Sequence, residues 1–509
     1  MKHSFLSLGV SFLLLALVFG SNFKINPETR HFIDQFGRSR IFHGVNAVYK
    51  LPPHHPPILD NFDAFNSLSD EDFKNLNTWG LNFIRLYLSW EGTERIRGQY
   101  NTTYLGIVKS IVQRAARYNI TILLDAHQDL GSRKFCGEGL PDWAVNRTDF
   151  PSPLPVQISF DEQGYANITD CNKLQFALYY TTNNVRNAFK SFYEDVDGIA
   201  ESFTNFWRAV ADFFKNEPNV LGYELINEPV SFSATKMNID LEYLQPLYKR
   251  THEKIRQVDN DTIIFFEPNI LDITSVGFTE GPGGPAYNDR QALSYHIYCP
   301  HVSPSGEPIN PSLCQVADTS MLKVKAEKAI KLGIPGILTE FGALSDTPKS
   351  CDEVARVTGL ADQYLHSWAY WQFKWYEDFT TAARPGSTES FYNPDGSLQE
   401  PKVKALARSY VYATCGTPKY QKFDAKTGEF DYSYLHSKNC QGQPTEVFLS
   451  EKFYYPNGIK YEFTGCPGCT LVGANNYYWV KVPDSLAEGT LIYLDVENAK
   501  SSQTETISV

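Results

Sequence analysis

Two glutamates stand in short motifs that could bring their carboxyl groups together. Glu228 lies in Gly222-Tyr-Glu-Leu-Ile-Asn-Glu-Pro229 and Glu340 lies in Ile337-Leu-Thr-Glu-Phe-Gly342, each directly after an apolar run. Two converging carboxyl groups suit cleavage of a glycosidic bond, because one can protonate the leaving oxygen while the other faces the anomeric carbon. A lone glutamate is more often an ion-paired loop residue, but the two contexts together favour the catalytic interpretation.

Helical and strand patterns alternate from about residue 40 to about residue 408 and could position this pair. Eight apolar runs predict the strands: Ile41–Val45, Asn82–Leu86, Thr121–Asp125, Leu221–Ile226, Thr262–Phe266, Ala292–Tyr295, Gly336–Thr339 and Ala369–Phe373. The alternation predicts the α/β class and a closed parallel (β/α)8 barrel, in which loops after the strands form the site. An open doubly wound sheet fits the same alternation, but it is disfavoured because the sequence has no glycine-rich phosphate loop.

The pattern of polar and apolar residues changes after residue 410. Segments such as Glu446–Tyr455 and Asn476–Val482 alternate in polarity and are separated by turn residues, which predicts an antiparallel β-sandwich. The predicted division is a barrel over residues 21–408 and a smaller sandwich over residues 409–509. Two long insertions, Gly131–Thr182 and Gly277–Asp289, are predicted to form walls of the site.

The N-terminus is typical of a secretory signal peptide. Lys2 and His3 precede an apolar run from Phe5 to Phe19, and the small residue Gly20 follows it. The sequence therefore predicts a signal peptide over residues 1–20, cleaved near Gly20, and a secreted protein. The alternative is a short hydrophobic anchor that stays attached. No later stretch approaches the length of a membrane span, so we expect no integral membrane segment in the mature chain.

Glycosylation sequons and cysteines agree with export. Five sequons have Thr two residues after the Asn: Asn101, Asn119, Asn146, Asn167 and Asn260. Nine cysteines allow bridges such as Cys136 to Cys171 and Cys299 to Cys314, and the odd number leaves at least one thiol free or paired between chains. The Cys466-Pro-Gly-Cys469 pair could be half of a zinc site, but without a second pair nearby a local bridge or two inert thiols is favoured.

Composition excludes several classes of protein. With 42% hydrophobic and 20% charged residues, the chain is neither disordered nor fibrous. Its net charge of −12 and the absence of a basic block argue against a nucleic-acid partner.

The two glutamate motifs resemble those of a known family. Asn227-Glu228-Pro229 and Thr339-Glu340-Phe341-Gly342 are similar to the acid/base and nucleophile motifs of the retaining glycoside hydrolases of clan A, family five. The resemblance implies that Glu228 is the acid/base, that Glu340 is the nucleophile, and that no metal or organic cofactor takes part. It also implies supporting roles for Arg85 beside the nucleophile, for Asn227 on the sugar 2-hydroxyl, and for the orienting residues His127, His296 and Tyr298.

A narrower resemblance covers most of the predicted barrel. Four segments are similar to signatures of the endoglycoceramidases, which release intact oligosaccharides from glycosphingolipids: Gly44–Lys50, Asp125–Asp129, Gly139–Trp143 and Tyr370–Lys374. The resemblance implies that Lys50, Asp129, Trp143 and Trp371 bind the glucose next to the ceramide and the sugar beyond it.

The same side chains make chemical sense in a sugar subsite. An indole covers the apolar face of a sugar ring, and charged groups bind its hydroxyls. The alternatives are that Trp371 packs in the core and that Lys50 and Asp129 pair with each other. We expect both charged residues at the rim of the barrel and not in its core, so that their removal changes stability little. The loop after Asp129 and the stretch Pro52–Pro57 match no motif, so the ceramide contacts stay open.

The sequence therefore predicts a secreted retaining endo-β-glycosidase that hydrolyses the glucose–ceramide linkage of a glycosphingolipid in a micelle or membrane. The alternatives are an endo-β-glucanase or a steryl-β-glucosidase of the same family, or an inactive barrel that binds a glycan or a lipid. The last is disfavoured because the catalytic residues that the resemblance calls for are all present.

Overall fold

The structure is a computed structural model that describes residues 21–233, 238–270, 277–380 and 388–499. The predicted signal peptide at residues 1–20 lies outside the described residues. The first thirteen strands are β1 Lys24–Asn26, β2 His31–Ile33, β3 Ser39–Arg40, β4 His43–Ala47, β5 Phe83–Tyr87, β6 Thr121–Asp125, β7 Leu130–Gly131, β8 Glu138–Gly139, β9 Val220–Glu224, β10 Ile263–Phe266, β11 Gln291–Ile297, β12 Gly336–Gly342 and β13 Ser367–Trp371.

Eight of these strands close into a parallel barrel, which confirms the predicted (β/α)8 fold. Its order is β4, β5, β6, β9, β10, β11, β12 and β13, and β13 pairs with β4 to complete the circle. Each predicted strand overlaps an observed one, because strands buried on both faces leave continuous apolar runs in the sequence. The pair β7 and β8 lies in the first insertion and is not part of the barrel.

Helices surround the barrel and begin at recognisable sequence signals. Their bounds are α1 Asp70–Thr78, α2 Trp90–Thr93, α3 Thr102–Ala116, α4 Ile168–Cys171, α5 Asn183–Tyr193, α6 Ile199–Phe214, α7 Gln245–Ile255, α8 Pro311–Leu332, α9 Pro348–Gln363 and α10 Glu400–Leu406. The start of α1 has a capping box between Ser69 and Asp72. In α3 an apolar stripe, which includes Val108 and Ile111, is buried.

A β-sandwich follows the barrel and confirms the predicted second domain. Its strands are β14 Tyr410–Thr414, β15 Gly416–Phe423, β16 Phe430–His436, β17 Thr445–Phe448, β18 Ile459–Thr464, β19 Thr470–Ala474, β20 Tyr477–Lys481 and β21 Leu491–Asn498. They form two antiparallel sheets, and one shared core buries side chains of both, such as Val447 from β17 and Ile492 from β21.

The N-terminal strands differ from the prediction. The sequence assigned residues 21–408 to the barrel domain, but β1, β2 and β3 lie in the larger sheet of the sandwich, where Ala413 of β14 pairs with Arg40 of β3. Phe23, Ile25 and Phe32 from this segment also pack against barrel residues. The N-terminal segment therefore joins the two domains, and Arg40 pairs with Ala413, 373 positions away, which local patterning does not reveal.

Four disulfide bonds cross-link the described part of the chain. Cys136 bonds Cys171 and Cys299 bonds Cys314, as the sequence allowed, while Cys415 bonds Cys440 and Cys466 bonds Cys469. Cys351 is the free thiol. The Cys466–Cys469 pair is thus a local bridge. None of the helices in the described part of the chain combines the length and apolar character that crossing a bilayer requires.

Candidate active site

A cavity of about 1770 Å³ contains both predicted glutamates. It opens where the barrel strands end, as expected for this fold. The first insertion, Gly131–Thr182, forms one wall through residues such as Leu174 and Phe176, which confirms that prediction. The prediction for the second insertion is wrong, because no residue of Gly277–Asp289 lines this cavity. It packs instead beside α7, where Tyr287 contacts His252.

Glu340 is held from two sides at the end of β12. Nη1 of Arg85 donates to its Oε1 at 2.6 Å, and the hydroxyl of Tyr298 donates to its Oε2 at 2.8 Å. Burial raises the pKa of Glu340, and the guanidinium of Arg85 opposes that rise. Both carboxylate oxygens are therefore oriented, and a fixed positive charge stabilises the ionised form.

Arg85 is fully buried and connects five neighbours under the cavity, one of which is Asn46, whose Oδ1 accepts from its Nη1 at 3.1 Å. Besides Glu340, its guanidinium donates to Glu224 and to Oδ1 of Asn227 at 2.8 Å, and it pairs with Asp125 at 3.1 Å. Asn227 also donates to the Gln128 carbonyl at 2.9 Å. This network fixes Asn227 and Glu340 relative to each other.

Glu228 sits in a different environment in the loop after β9. Its Oε1 lies 2.8 Å from Nδ1 of His296, whose own pKa is lowered to about 4 by burial. Burial, followed by the charge of Asp129, raises the pKa of Glu228 to about 7. Glu228 can therefore hold a proton at neutral pH, which is what a general acid needs.

The backbone of Glu228 is held in a left-handed conformation, with φ of +39°. Its N–H donates to Oε2 of Glu267 at 2.8 Å. Glu267 follows β10 and is buried, and its pKa is raised by burial and by the neighbouring carboxyl of Glu228. Sequence reasoning missed Glu267, although a glutamate directly after a predicted barrel strand was the available signal.

The two glutamates lie close together. One carboxylate oxygen of Glu228, one of Glu340 and a ring nitrogen of His296 all lie within 4.8 Å of one another. Retaining glycosidases separate their carboxyl groups by about 5–5.5 Å, whereas inverting enzymes leave about 6.5–9.5 Å for a water molecule. This spacing favours the retaining geometry.

Lys50 and Asp129 pair with each other, and both are buried. Nζ of Lys50 lies 2.6 Å from Oδ2 of Asp129 and 3.1 Å from each carboxylate oxygen of Asp378, and it also donates to Thr380. Burial acts to lower the pKa of Lys50, but Asp129 and Asp378 outweigh it and raise that pKa well above its usual range. Both residues follow barrel strands, as expected for the rim, but they are buried there, so the expectation that their removal changes stability little is not supported. Asp129 lines the cavity, and Lys50 lies behind it.

Asp129 has further partners that sequence reasoning did not find. The hydroxyl of Tyr180, from the first insertion, donates to its Oδ1 at 3.0 Å. Nε2 of His127 lies 3.5 Å from its Oδ2. Burial acts to raise the pKa of Asp129, but Lys50 and His127 hold it well below its usual range. Asp129 is therefore ionised beside the cavity and can accept hydrogen bonds from hydroxyls.

Trp371 and His127 form a stacked pair at the cavity. Their ring centroids are 5.2 Å apart with planes 16° from parallel, and the indole of Trp371 donates to Glu389 at 2.7 Å. Burial acts to lower the pKa of His127, but the carboxylates of Asp125 and Asp129 outweigh it and raise that pKa to about 10. The pair presents a flat wall with a positive charge.

Trp143 was predicted to bind the substrate, but the structure places it away from the cavity wall. Its indole N–H donates to the Glu94 carbonyl at 2.9 Å, and its ring packs edge-on against Trp90. It is absent from the cavity wall. Its contacts are those of a packing residue, so the sugar-binding role implied by the resemblance is not supported for it.

Taken together, a closed (β/α)8 barrel with two adjacent carboxyl groups at its strand ends defines a glycosidase of the retaining type. Comparison with known proteins agrees. Residues 59–377 match the model of "Cellulase (glycosyl hydrolase family 5)", and residues 408–509 match that of "Glycoside hydrolase family 5 C-terminal domain". The chain belongs to glycoside hydrolase family 5.

Similar proteins point to a narrower group within this family. An endoglycoceramidase of Cyanea nozakii is 36% identical over 87% of this chain and 87% of its own length, and one of Hydra vulgaris is 36% identical over 95% and 92%. Endo-glycoceramidase II from Rhodococcus sp., solved in complex with ganglioside GM3, is 26% identical, covers 92% of this chain and 99% of its own, and has a TM-score of 0.73.

Proposed function

We propose that this chain is an endoglycoceramidase that hydrolyses the β-linkage between glucose and ceramide and releases the oligosaccharide intact. The observation that carries the proposal is the Glu228–Glu340 pair, in which one carboxyl is protonatable near neutral pH and the other is anchored by Arg85. The activity of the relatives, which are similar over nearly the whole chain, supports the choice of substrate.

The chemistry follows from the two environments. Glu228 protonates the glycosidic oxygen as Glu340 attacks the anomeric carbon, so that ceramide leaves and a glycosyl-enzyme forms. Glu228, now ionised, then takes a proton from a water molecule that attacks the same carbon and releases Glu340. Asn227, which Arg85 holds beside the pair, is assigned to the 2-hydroxyl of the bound sugar because its motif resembles that of the family.

The cavity has sides suited to the two halves of the substrate. Asp129 and Trp371 offer a charged acceptor and a flat ring for sugars. Apolar residues flank the Glu228 loop, including Val230 and also Ile270, whose N–H donates to the Pro229 carbonyl at 3.0 Å. Because Glu228 protonates the leaving group, apolar side chains beside it suit a lipid.

The experiment is incubation with mixed gangliosides, followed by mass spectrometry of the released glycans and lipid. Intact oligosaccharide together with free ceramide is the expected result, and Glu340→Ala supplies the blank. Release of single sugars alone, or cleavage of cellulose oligosaccharides in preference to the glycolipid, would contradict the proposal and favour the glucanase alternative.

We also propose that the protein is secreted after cleavage near Gly20 and acts on glycosphingolipid presented in a micelle or membrane. The N-terminal pattern, the four disulfides and the five sequons support export. N-terminal sequencing of protein collected from the medium of expressing cells tests this, and a mature chain that still begins at Met1 would contradict it.

A further inference from the structure

The first turns of α8 carry an exposed apolar face. Leu313 and Val316, one helical turn apart, are 45% and 69% exposed, and Ile309, just before the helix, is 54% exposed. Single exposed apolar side chains are common on protein surfaces. Several of them next to one another mark a surface that contacts another protein or a membrane. We refer to Ile309, Leu313 and Val316 as the α8 face.

The stretch of chain that carries the α8 face has no exposed charge, and Glu307, two residues before it, is neutralised by Lys349 at 2.7 Å. Every exposed residue from Ile309 to Ser320 is apolar or uncharged, and exposed charge resumes at Lys323. The one charged residue in this stretch, Asp318, is fully buried and paired with Arg356 of α9. That pair turns the inner side of α8 toward α9 and leaves the α8 face outward.

The α8 face lies at the same end of the barrel as the catalytic cavity. All barrel strands are parallel, so the helix that follows β11 begins where the strands end. The loop before it lines the cavity through Val302 and Gly306, and Met321 of α8 itself lines the cavity. The Cys299–Cys314 disulfide ties the first turn of α8 to the residue after Tyr298, which holds Glu340.

We infer that the α8 face docks the protein on a lipid surface, with the zwitterionic bilayer as the partner; the benefit to catalysis rests on the proposed glycolipid activity. Apolar side chains enter the interface between headgroups and acyl chains, and the absence of exposed charge there removes the cost of burying an ion. The net charge of −12 and the absence of cations on this face give no attraction to anionic lipid. Docking places the cavity mouth against the membrane that holds the substrate.

Binding is measured by flotation with phosphatidylcholine vesicles that contain no glycolipid. The double variant Leu313→Asp with Val316→Asp is expected to bind about tenfold more weakly than the unaltered protein. The matched control is Ile330→Asp on the same helix, because Ile330 is 50% exposed but lies fourteen residues further on, about 21 Å along the axis. The control is expected to bind normally, and added phosphatidylserine or salt is expected to change little.

Activity is measured on ganglioside in the same vesicles and on a soluble aryl β-lactoside. The rate of the double variant is expected to fall about tenfold on vesicles and to stay unchanged on the soluble substrate. The unchanged rate also shows that the variant is folded. Unchanged vesicle binding, or equal weakening by Ile330→Asp, overturns the inference. Equal loss on both substrates also overturns it, because α8 would then support only the catalytic loop. The unaltered protein could bind vesicles as expected and yet cleave no glycolipid. That result would support docking and refute the proposed function.

Discussion

Nζ of Lys50 lies 2.6 Å from Oδ2 of Asp129, and the two residues are 1% and 4% exposed. This buried ion pair joins a group that lines the cavity to one that lies behind it. Removing either partner leaves an uncompensated charge out of water, which is strongly destabilising. The pair therefore affects folding stability as well as substrate binding.

Lys50→Ala is expected to lower the free energy of unfolding by about 3–5 kcal/mol, because Asp129 and Asp378 lose their shared cation. Denaturant titration measures this. Lys323→Ala is the control, since its pairing with Glu327 leaves both side chains 61% exposed, and such pairs contribute at most about 1 kcal/mol. An unchanged midpoint for Lys50→Ala would show that the pair is not buried in solution.

Glu340→Ala and Glu228→Ala are expected to fail in different ways. Without Glu340 no nucleophile remains, so turnover stops on every substrate. Without Glu228 the rate on glycolipid falls by about 10²–10⁴, but an activated glycosyl fluoride still reacts, and azide restores turnover because it needs no deprotonation. Steady-state rates with and without azide check this, and equal residual activity of both variants on the fluoride would refute the assignment.

The stereochemistry of the product follows from the spacing of the two carboxyl groups. With oxygens of Glu228 and Glu340 within 4.8 Å, double displacement is expected, and the released sugar should first appear as the β-anomer. Proton NMR in the first minutes of reaction measures this. Initial α-anomer would mean an inverting mechanism and a different pair of residues.

The pH profile should report the proton on Glu228. Because the pKa of Glu228 is about 7, kcat/KM for a phenyl lactoside is expected to fall above neutral pH as that proton is lost. Asp129→Asn removes a negative charge that raises this pKa, so the falling limb should move to lower pH. A dinitrophenyl lactoside, whose leaving group needs no proton, is the control and should lack that limb. If the falling limb of the pH profile lies at the same pH in Asp129→Asn as in the unaltered protein, Asp129 does not raise the pKa of Glu228.

Glu267 is expected to act as a positioning residue for Glu228. Glu267→Ala removes the acceptor of the Glu228 N–H and should lower kcat/KM about tenfold or more on substrates with poor leaving groups. Glu267→Gln keeps an oxygen at that place and should restore most of the rate. If both variants lose the same activity on good and poor leaving groups alike, Glu267 has a different role.

The amino-acid sequence determined the barrel strands and the glutamate pair. Thr121–Asp125 was predicted without error, and Gly336–Thr339 fell short of β12 only because the strand continues through polar Glu340. Buried parallel strands leave a local signal, since most of their residues on both faces are apolar. The fold then brings distant strand ends together, so motifs at those ends predict the site.

Tertiary structure alone decided which distant segments contact one another. Pairing of β3 with β14, burial of Lys50 behind Asp129, and the turning of Trp143 toward Trp90 depend on packing between segments far apart in the chain. The same holds for the Glu267 acceptor of Glu228, which comes from a neighbouring strand end. Periodicity records whether a residue is buried, but not which partner buries it, because that choice is made by long-range contacts that leave no local pattern.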